Sequence, residues 1–84
     1  MVLSMFPNPN DGHQLQLTLA GAPDAITTID IYDALGRRVY TKDHATPEGD
    51  LSLTLGLEGR YLPGMYTVVA SSGEGRSVQR LVIE

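Results

Sequence analysis

The chain has 84 residues, which is enough for one small domain and too few for two. It contains no cysteine, so a disulfide, a thiolate metal site and a cysteine nucleophile are all excluded. Ten acidic against six basic side chains give a net charge of -4, which argues against nucleic-acid binding through the phosphate backbone.

No apolar run approaches the roughly 20 residues that a transmembrane segment needs. The opening stretch from Met1 to Pro7 has neither the basic region nor the apolar length of a signal peptide. If the domain is exported, we therefore expect the export signal to belong to a longer parent chain.

Runs of alternating apolar and polar residues predict short strands. The first is an edge strand from Val2 to Phe6, ended by Pro7-Asn8-Pro9, whose two prolines lack backbone donors. Asn10-Asp11-Gly12 predicts a turn. The clean alternation of leucines with polar residues then predicts a half-buried strand from Gln14 to Leu19.

The stretch from Thr27 to Tyr40 predicts a β-hairpin around which the chain is organised. Its strands are expected near Thr27–Tyr32 and Arg37–Lys42. Asp33 is expected to accept hydrogen bonds from the turn backbone, and Gly36 to take the positive φ that closes the loop.

The remaining segments complete an all-β pattern. Asp43–Gly49 is predicted as a polar loop, Glu58–Gly64 as a connection and Ser71–Gly75 as a hairpin loop. Three further strands are predicted, at Leu51–Leu55, Met65–Ala70 and Ser77–Ile83. Because no stretch keeps a 3.6-residue apolar period, the sequence predicts a small antiparallel β-sandwich of six or seven strands.

Candidates for catalysis and metal binding are sparse. His13 and His44 fall in predicted turns or loops, and no serine has a Gly-x-Ser-x-Gly setting, so a nucleophile beside a base is not indicated. A calcium site between acidic loops stays open, although no acidic spacing matches a calcium loop. We expect no enzyme activity and no cofactor.

Aromatic and basic residues leave a binding role open. The four tyrosines are Tyr32, Tyr40, Tyr61 and Tyr66. They could form an aromatic platform for sugars, or they could pack among the strands, with Tyr66 inside. Arg37 and Arg38, beside the hairpin turn, could be a recognition point or a solvated pair.

Several short motifs occur in an order that is specific when taken together. They are Phe6-Pro7-Asn8-Pro9, Gly12, Leu15-x-Leu17, Ile29-x-Ile31-Tyr32-Asp33-x-x-Gly36-Arg37-x-Val39, Leu53-x-Leu55, Gly64-Met65-Tyr66-x-Val68 and Arg80-Leu81-Val82-Ile83. Over nearly the whole chain, this order resembles the C-terminal sorting domain of the type IX (Por) secretion system of Bacteroidetes. Two residues depart from that pattern: Phe6 stands where the family usually has tyrosine, and Glu84 where members often end on a basic residue.

The resemblance implies a seven-stranded Ig-like sandwich, residues 1–84, at the end of a longer secreted protein. Such a domain is a secretion signal and not an enzyme. It follows Sec export into the periplasm and, with shuttle proteins, directs its cargo through the type IX translocon. A cell-surface sortase then removes it, and the cargo is anchored to the outer-membrane surface or released.

Position by position, the resemblance also implies recognition residues. They are Pro7, Asn8, Pro9, Gly36, Arg37, Val39, Gly64, Tyr66, Arg80, Leu81, Val82 and Ile83. Glycines in this set are expected to serve turn geometry, and Val39, Tyr66 and Leu81 to serve packing. Arg37 and Arg80 are the expected partner contacts, because no rule of the fold demands a guanidinium at either position.

The final strand is aliphatic, and we expect it to lie at a sheet edge. There its unpaired backbone groups would let a translocon component add a strand, or let two isolated domains form an edge-strand homodimer. The alternative function is a non-catalytic binding module, carbohydrate-binding or fibronectin-like, which would need a concave face with two or more exposed aromatic residues.

Overall fold

The computed structural model describes residues 1–58 and 60–84, and within them it shows seven antiparallel strands and no helix. The strands are β1 (Val2–Phe6), β2 (Gln14–Ala20), β3 (Ile26–Tyr32), β4 (Arg38–Ala45), β5 (Leu51–Gly56), β6 (Gly64–Ser72) and β7 (Gly75–Ile83). They form one sheet of order β1-β2-β5 and another of order β4-β3-β6-β7. The predicted all-β sandwich is confirmed.

No described residue belongs to a helix of the length and apolarity that a membrane crossing requires.

A single core fills the space between the two sheets. On β2 the alternating leucines point inward, and on β3 Ile29 and Ile31 do the same. The members with at most 3% of their surface exposed are Leu3, Leu15, Leu17, Leu19, Ile29, Ile31, Leu57, Val68, Ala70, Leu81 and Ile83. Burying a leucine or isoleucine of this kind stabilises the fold by about 1.5–3 kcal/mol, so alternation along each strand decides which face it presents.

Two predicted loops are shorter than expected, because pairing across strands extends the strands into them. β4 continues to Ala45, and there Asp43 accepts a hydrogen bond from the Thr28 hydroxyl at 2.6 Å. The loop between β6 and β7 is reduced to Gly73 and Glu74, with Gly73 at a φ of 54°. Glycine at the first position of a two-residue loop is typical of a tight hairpin.

The Tyr66 side chain binds the backbone of the loop that leads into β6. Its ring is buried, with 8% of the residue exposed, and its hydroxyl donates a hydrogen bond to the carbonyl oxygen of Leu62 at 2.6 Å. A buried tyrosine that bonds back to the preceding backbone at the start of this strand is characteristic of Ig-like sandwiches. The predicted inward position of Tyr66 is confirmed.

We expect Tyr66→Phe to lower the free energy of unfolding by about 1 kcal/mol, because it removes one hydrogen bond and keeps the ring. Urea denaturation followed by circular dichroism measures the change. Tyr61→Phe is the matched control, since the Tyr61 hydroxyl makes no hydrogen bond within the described part of the chain. Equal losses in the two variants would contradict the role assigned to the Tyr66 hydroxyl.

Candidate functional site

All the residues marked for recognition lie at one end of the sandwich. β3 ends at Tyr32, which pairs with Thr67 near the start of β6, and Gly64 at that start pairs with Ile83 at the end of β7. The connection between β1 and β2 reaches the same end, since Asn10 forms a parallel bridge with Ile83. The candidates therefore form two groups: one around β7, and one in the β3–β4 turn, about 10 Å away across two strand spacings.

The side chain of Asn8 binds the outer edge of β7. Its Nδ2 donates to the carbonyl oxygen of Arg80 at 2.8 Å, and its Oδ1 accepts from the N–H of Val82 at 3.1 Å. The backbone continues the contact, because the N–H of Asn10 donates to the carbonyl of Val82 at 2.7 Å and the N–H of Glu84 donates to the carbonyl of Asn10 at 2.8 Å. These four hydrogen bonds, which we call the edge clamp, cover the edge of the chain from Arg80 in β7 to Glu84 just after it.

The buried amide of Asn10 holds the clamp in position. Only 1% of Asn10 is exposed. Its Nδ2 donates to the carbonyl oxygens of Pro7 at 3.1 Å and Gln14 at 2.8 Å, and its Oδ1 accepts from the N–H of Gly12 at 2.8 Å. The sequence placed Asn10 only in a turn, because nothing local shows that its amide would be buried against the two ends of the β1–β2 connection.

The clamp revises the expected open edge of the final strand. β7 is the outermost strand of its sheet, but its second half is covered from Arg80 onward. In an antiparallel strand, every second residue points its backbone groups to the same side, so Arg76 and Val78 face the same edge as Arg80 and Val82. Within the described part of the chain, Arg76 and Val78 have no strand on that side. The open part of the edge is the first half of β7.

The four residues at the end of β7 divide their roles by parity. Leu81 and Ile83 point into the core, with 1% and 3% of their surface exposed. Arg80, which is exposed, and Val82, which is half-buried, lie on the outer face of the sheet, opposite Thr67 and Met65. Leu81 and Ile83 therefore fix the strand, and Arg80 is the side chain that a partner can reach.

Asp33 organises the β3–β4 turn, as predicted. Its Oδ1 accepts from the N–H groups of Leu35 and Arg37, both at 2.9 Å, and Gly36 has a φ of 82°. The Nε of Arg37 donates to Asp33 Oδ2 at 2.8 Å. The expectation that no rule of the fold demands a guanidinium at position 37 is therefore revised, because Arg37 pairs with the turn carboxylate.

Val39 is the extra residue of a bulge in β4. Arg38 pairs with Tyr32 and Tyr40 with Ile31, so Val39 has no partner of its own, and 41% of it is exposed. The packing role expected for Val39 is wrong, because Tyr40 pairs with the buried Ile31 and faces the core, so Val39 before it faces outward.

The tyrosines do not form a single platform. Tyr32 lies on the outer face of its sheet and Tyr66 in the core, while Tyr40 and Tyr61 line an open cleft of about 440 Å³ between β4 and β5. The Tyr61 ring meets the Tyr66 ring edge to face, with centroids 5.8 Å apart. The described residues contain no cluster of three or more acidic or histidine side chains that could hold a metal ion.

Removal of the Asn10 amide should destabilise the fold more than removal of the Asn8 amide. We expect Asn10→Ala to lower the free energy of unfolding by about 3 kcal/mol, because it leaves buried backbone groups without partners, and Asn8→Ala to lower it by about 1 kcal/mol. Urea denaturation measures both, with the exposed Gln14→Ala as the control. Equal losses for Asn8 and Asn10 would show that Asn10 does not anchor the clamp.

The turn should also make the fold sensitive to acid. The Arg37 N–H first, and then the Arg37 side chain and the Leu35 N–H, hold the pKa of Asp33 below its usual value of 3.8. The stabilisation is therefore complete above the unfolded-state pKa and is lost as the pH falls through the lower folded-state pKa. NMR titration should give a pKa below 3.8 for wild type and also for Arg37→Ala, which keeps the backbone donor. A wild-type pKa at or above 3.8 would contradict this account.

Comparison with known proteins identifies a family for the chain. The family model described as the secretion system C-terminal sorting domain matches residues 4–84. No curated protein matches the chain. A sorting signal marks a protein for the cell surface or the medium and is not itself a catalytic module. The chain belongs to the family of C-terminal sorting domains of the type IX secretion system.

Proposed function

We propose that residues 1–84 form the C-terminal domain of a longer secreted protein and carry it through the type IX outer-membrane translocon. The cargo first reaches the periplasm by Sec export, and shuttle proteins bind the domain. A cell-surface sortase then removes the domain, and the cargo is anchored at the surface or released. The observation that carries this proposal is the edge clamp, because it joins the Pro-Asn-Pro motif and the C-terminal strand into one surface.

The clamp suggests how a receptor recognises this surface. A strand of the receptor pairs first with β7 at Arg76–Val78, where the edge is open, and then extends toward Glu84 as it replaces Asn8 and Asn10. The exchange costs little in backbone pairing, because each hydrogen bond of the clamp contributes only about 1 kcal/mol net and is replaced by another. Because this pairing uses the backbone, the same receptor can accept the sorting domains of different cargo proteins.

Selectivity comes from side chains beside that edge. Arg80 is exposed and has no ion-pair partner within the described residues, so its guanidinium is available to a receptor carboxylate. Arg37 is already paired with Asp33, so it contributes less. Gly64 and Tyr66 hold β7 in place from the neighbouring strand β6, because they pair with Ile83 and Leu81.

A carbohydrate-binding module is the second candidate function, and the observation in its favour is that Tyr40 and Tyr61 share one cleft. Sugar rings stack on exposed aromatic faces. Here both rings are partly buried, and the edge of one ring in the Tyr61–Tyr66 pair packs against the other. The sorting function is therefore the better supported of the two.

The test is a fusion of residues 1–84 to a fluorescent periplasmic cargo in a Bacteroidetes host, with a matched strain that lacks the translocon. We expect the cargo at the surface or in the medium only in the intact strain. Arg80→Ala should reduce the exported fraction severalfold, and Glu48→Ala, an exposed change at the opposite end of the sandwich, is its control. Retention of the cargo in the periplasm of both strains would contradict the sorting function.

A second variant separates edge pairing from folding. Val78→Pro removes an outward N–H and blocks an added strand, yet a proline is tolerated on an edge strand where its N–H is not used. We expect this variant to fold and to lose export, while Val78→Thr keeps both properties. Full export of Val78→Pro would exclude strand addition at β7 and leave the sorting function itself untouched.

A further inference from the structure

The side of the sandwich away from the edge clamp is open. β4 is the outermost strand of one sheet and β5 of the other, and a cleft of about 440 Å³ lies between them. Its walls come from both strands and from the connection that follows β5. The lining residues that carry hydrogen-bond donors on long side chains are Tyr40, Lys42, Arg60 and Tyr61.

Lys42 occupies an unusual place for a charged residue. It pairs with Ile29, whose side chain is fully buried, so the Lys42 side chain lies on the inner face of β4 together with that of Tyr40. A lysine on the inner face of an edge strand deters pairing with an ordinary apolar strand, since the ammonium would lose its water. A strand that carries a carboxylate at the matching position would satisfy it.

Four side-chain donors line the cleft, and none of them has a side-chain partner among the described residues. Lys42 and Arg60 form no ion pair there, and the hydroxyls of Tyr40 and Tyr61 make no hydrogen bond there. Burial raises the pKa of both tyrosines above 10.0, so both hydroxyls remain protonated donors at neutral pH. These donors favour the binding of an anionic group in the cleft, although the net charge of the whole chain is -4.

We propose that this cleft binds an extended acidic peptide segment of a partner protein, which adds as a strand to β4 and places its carboxylates against Lys42 and Arg60. A peptide fits better than a sugar because open strand edges flank the cleft. Tyr40 and Lys42 are two residues apart, about 7 Å along the strand, which is also the spacing of alternate side chains on an added strand. The proposal does not depend on the sorting function.

The probe is a fluorescein-labelled eight-residue peptide of alternating valine and glutamate, and binding to the 84-residue chain is measured by fluorescence anisotropy. We expect saturable binding that weakens with added salt. The double variant Lys42→Glu/Arg60→Glu should weaken it about tenfold or more, because two ion pairs become repulsions. Arg76→Glu, an exposed change on another surface, should affect it much less.

Charge reversal separates recognition from misfolding. A peptide of alternating valine and lysine should bind the double variant and not the wild type, and dispersed amide chemical shifts of the double variant show that it is folded. Chemical shifts of the Tyr40 and Leu55 amides should move with the wild-type peptide. The proposal is overturned if no peptide binds, if Arg76→Glu weakens binding as much as the double variant, or if a sulfated oligosaccharide displaces the peptide and binds more tightly.

Discussion

The buried amide of Asn10 is the interaction on which the rest of this structure depends. β1 belongs to one sheet and β7 to the other, and the chain that follows β1 must pass along the side of the sandwich where both sheets end. Asn10 ties together the two ends of that connection. With its shape fixed, the connection supplies the side-chain amide and the backbone groups that pair with β7.

A two-layer sandwich with unequal sheets has an opening along each side, and in this domain one of the two is covered and the other is open. One is closed by the β1–β2 connection, which forms hydrogen bonds along the second half of β7 as a neighbouring strand would. The other, between β4 and β5, has no such cover and remains a cleft with cationic walls. The first holds the C-terminal strand with hydrogen bonds from the β1–β2 connection, and the second carries Lys42 and Arg60 in a chain whose net charge is negative.

The parts of the fold that depend on local chemistry could be predicted from the sequence. Leucine alternation located β2, and the β3–β4 turn followed from Asp33 and Gly36, whose partners lie within four residues. The extension of β4 through Asp43 and His44 could not be predicted, because it depends on pairing with a strand 15 or more residues away. The family motifs also contain both residues of one clamp hydrogen bond, since Asn8 and Arg80 are in them.

The contacts between those motifs could not be predicted from the sequence. Asn8 and Val82 are 74 positions apart, and only the order of the strands brings them together. That Asn10 is an anchor was missed for the same reason. The bulge at Val39 was missed because it depends on how β4 pairs with β3, which places Arg38 opposite the outward-facing Tyr32 while Tyr40 faces the core. The ion pair of Arg37 with Asp33 was within reach, since the two residues are only four positions apart.

Native-state amide hydrogen exchange of β7, residue by residue, tests the central claim most directly. The account predicts slow exchange at the Val82 and Glu84 amides, which donate to the clamp, and fast exchange at the Arg76 and Val78 amides, which face the open part of the same edge. Exchange at Val82 and Glu84 as fast as at Val78 would show that the β1–β2 connection does not cover the C-terminal strand.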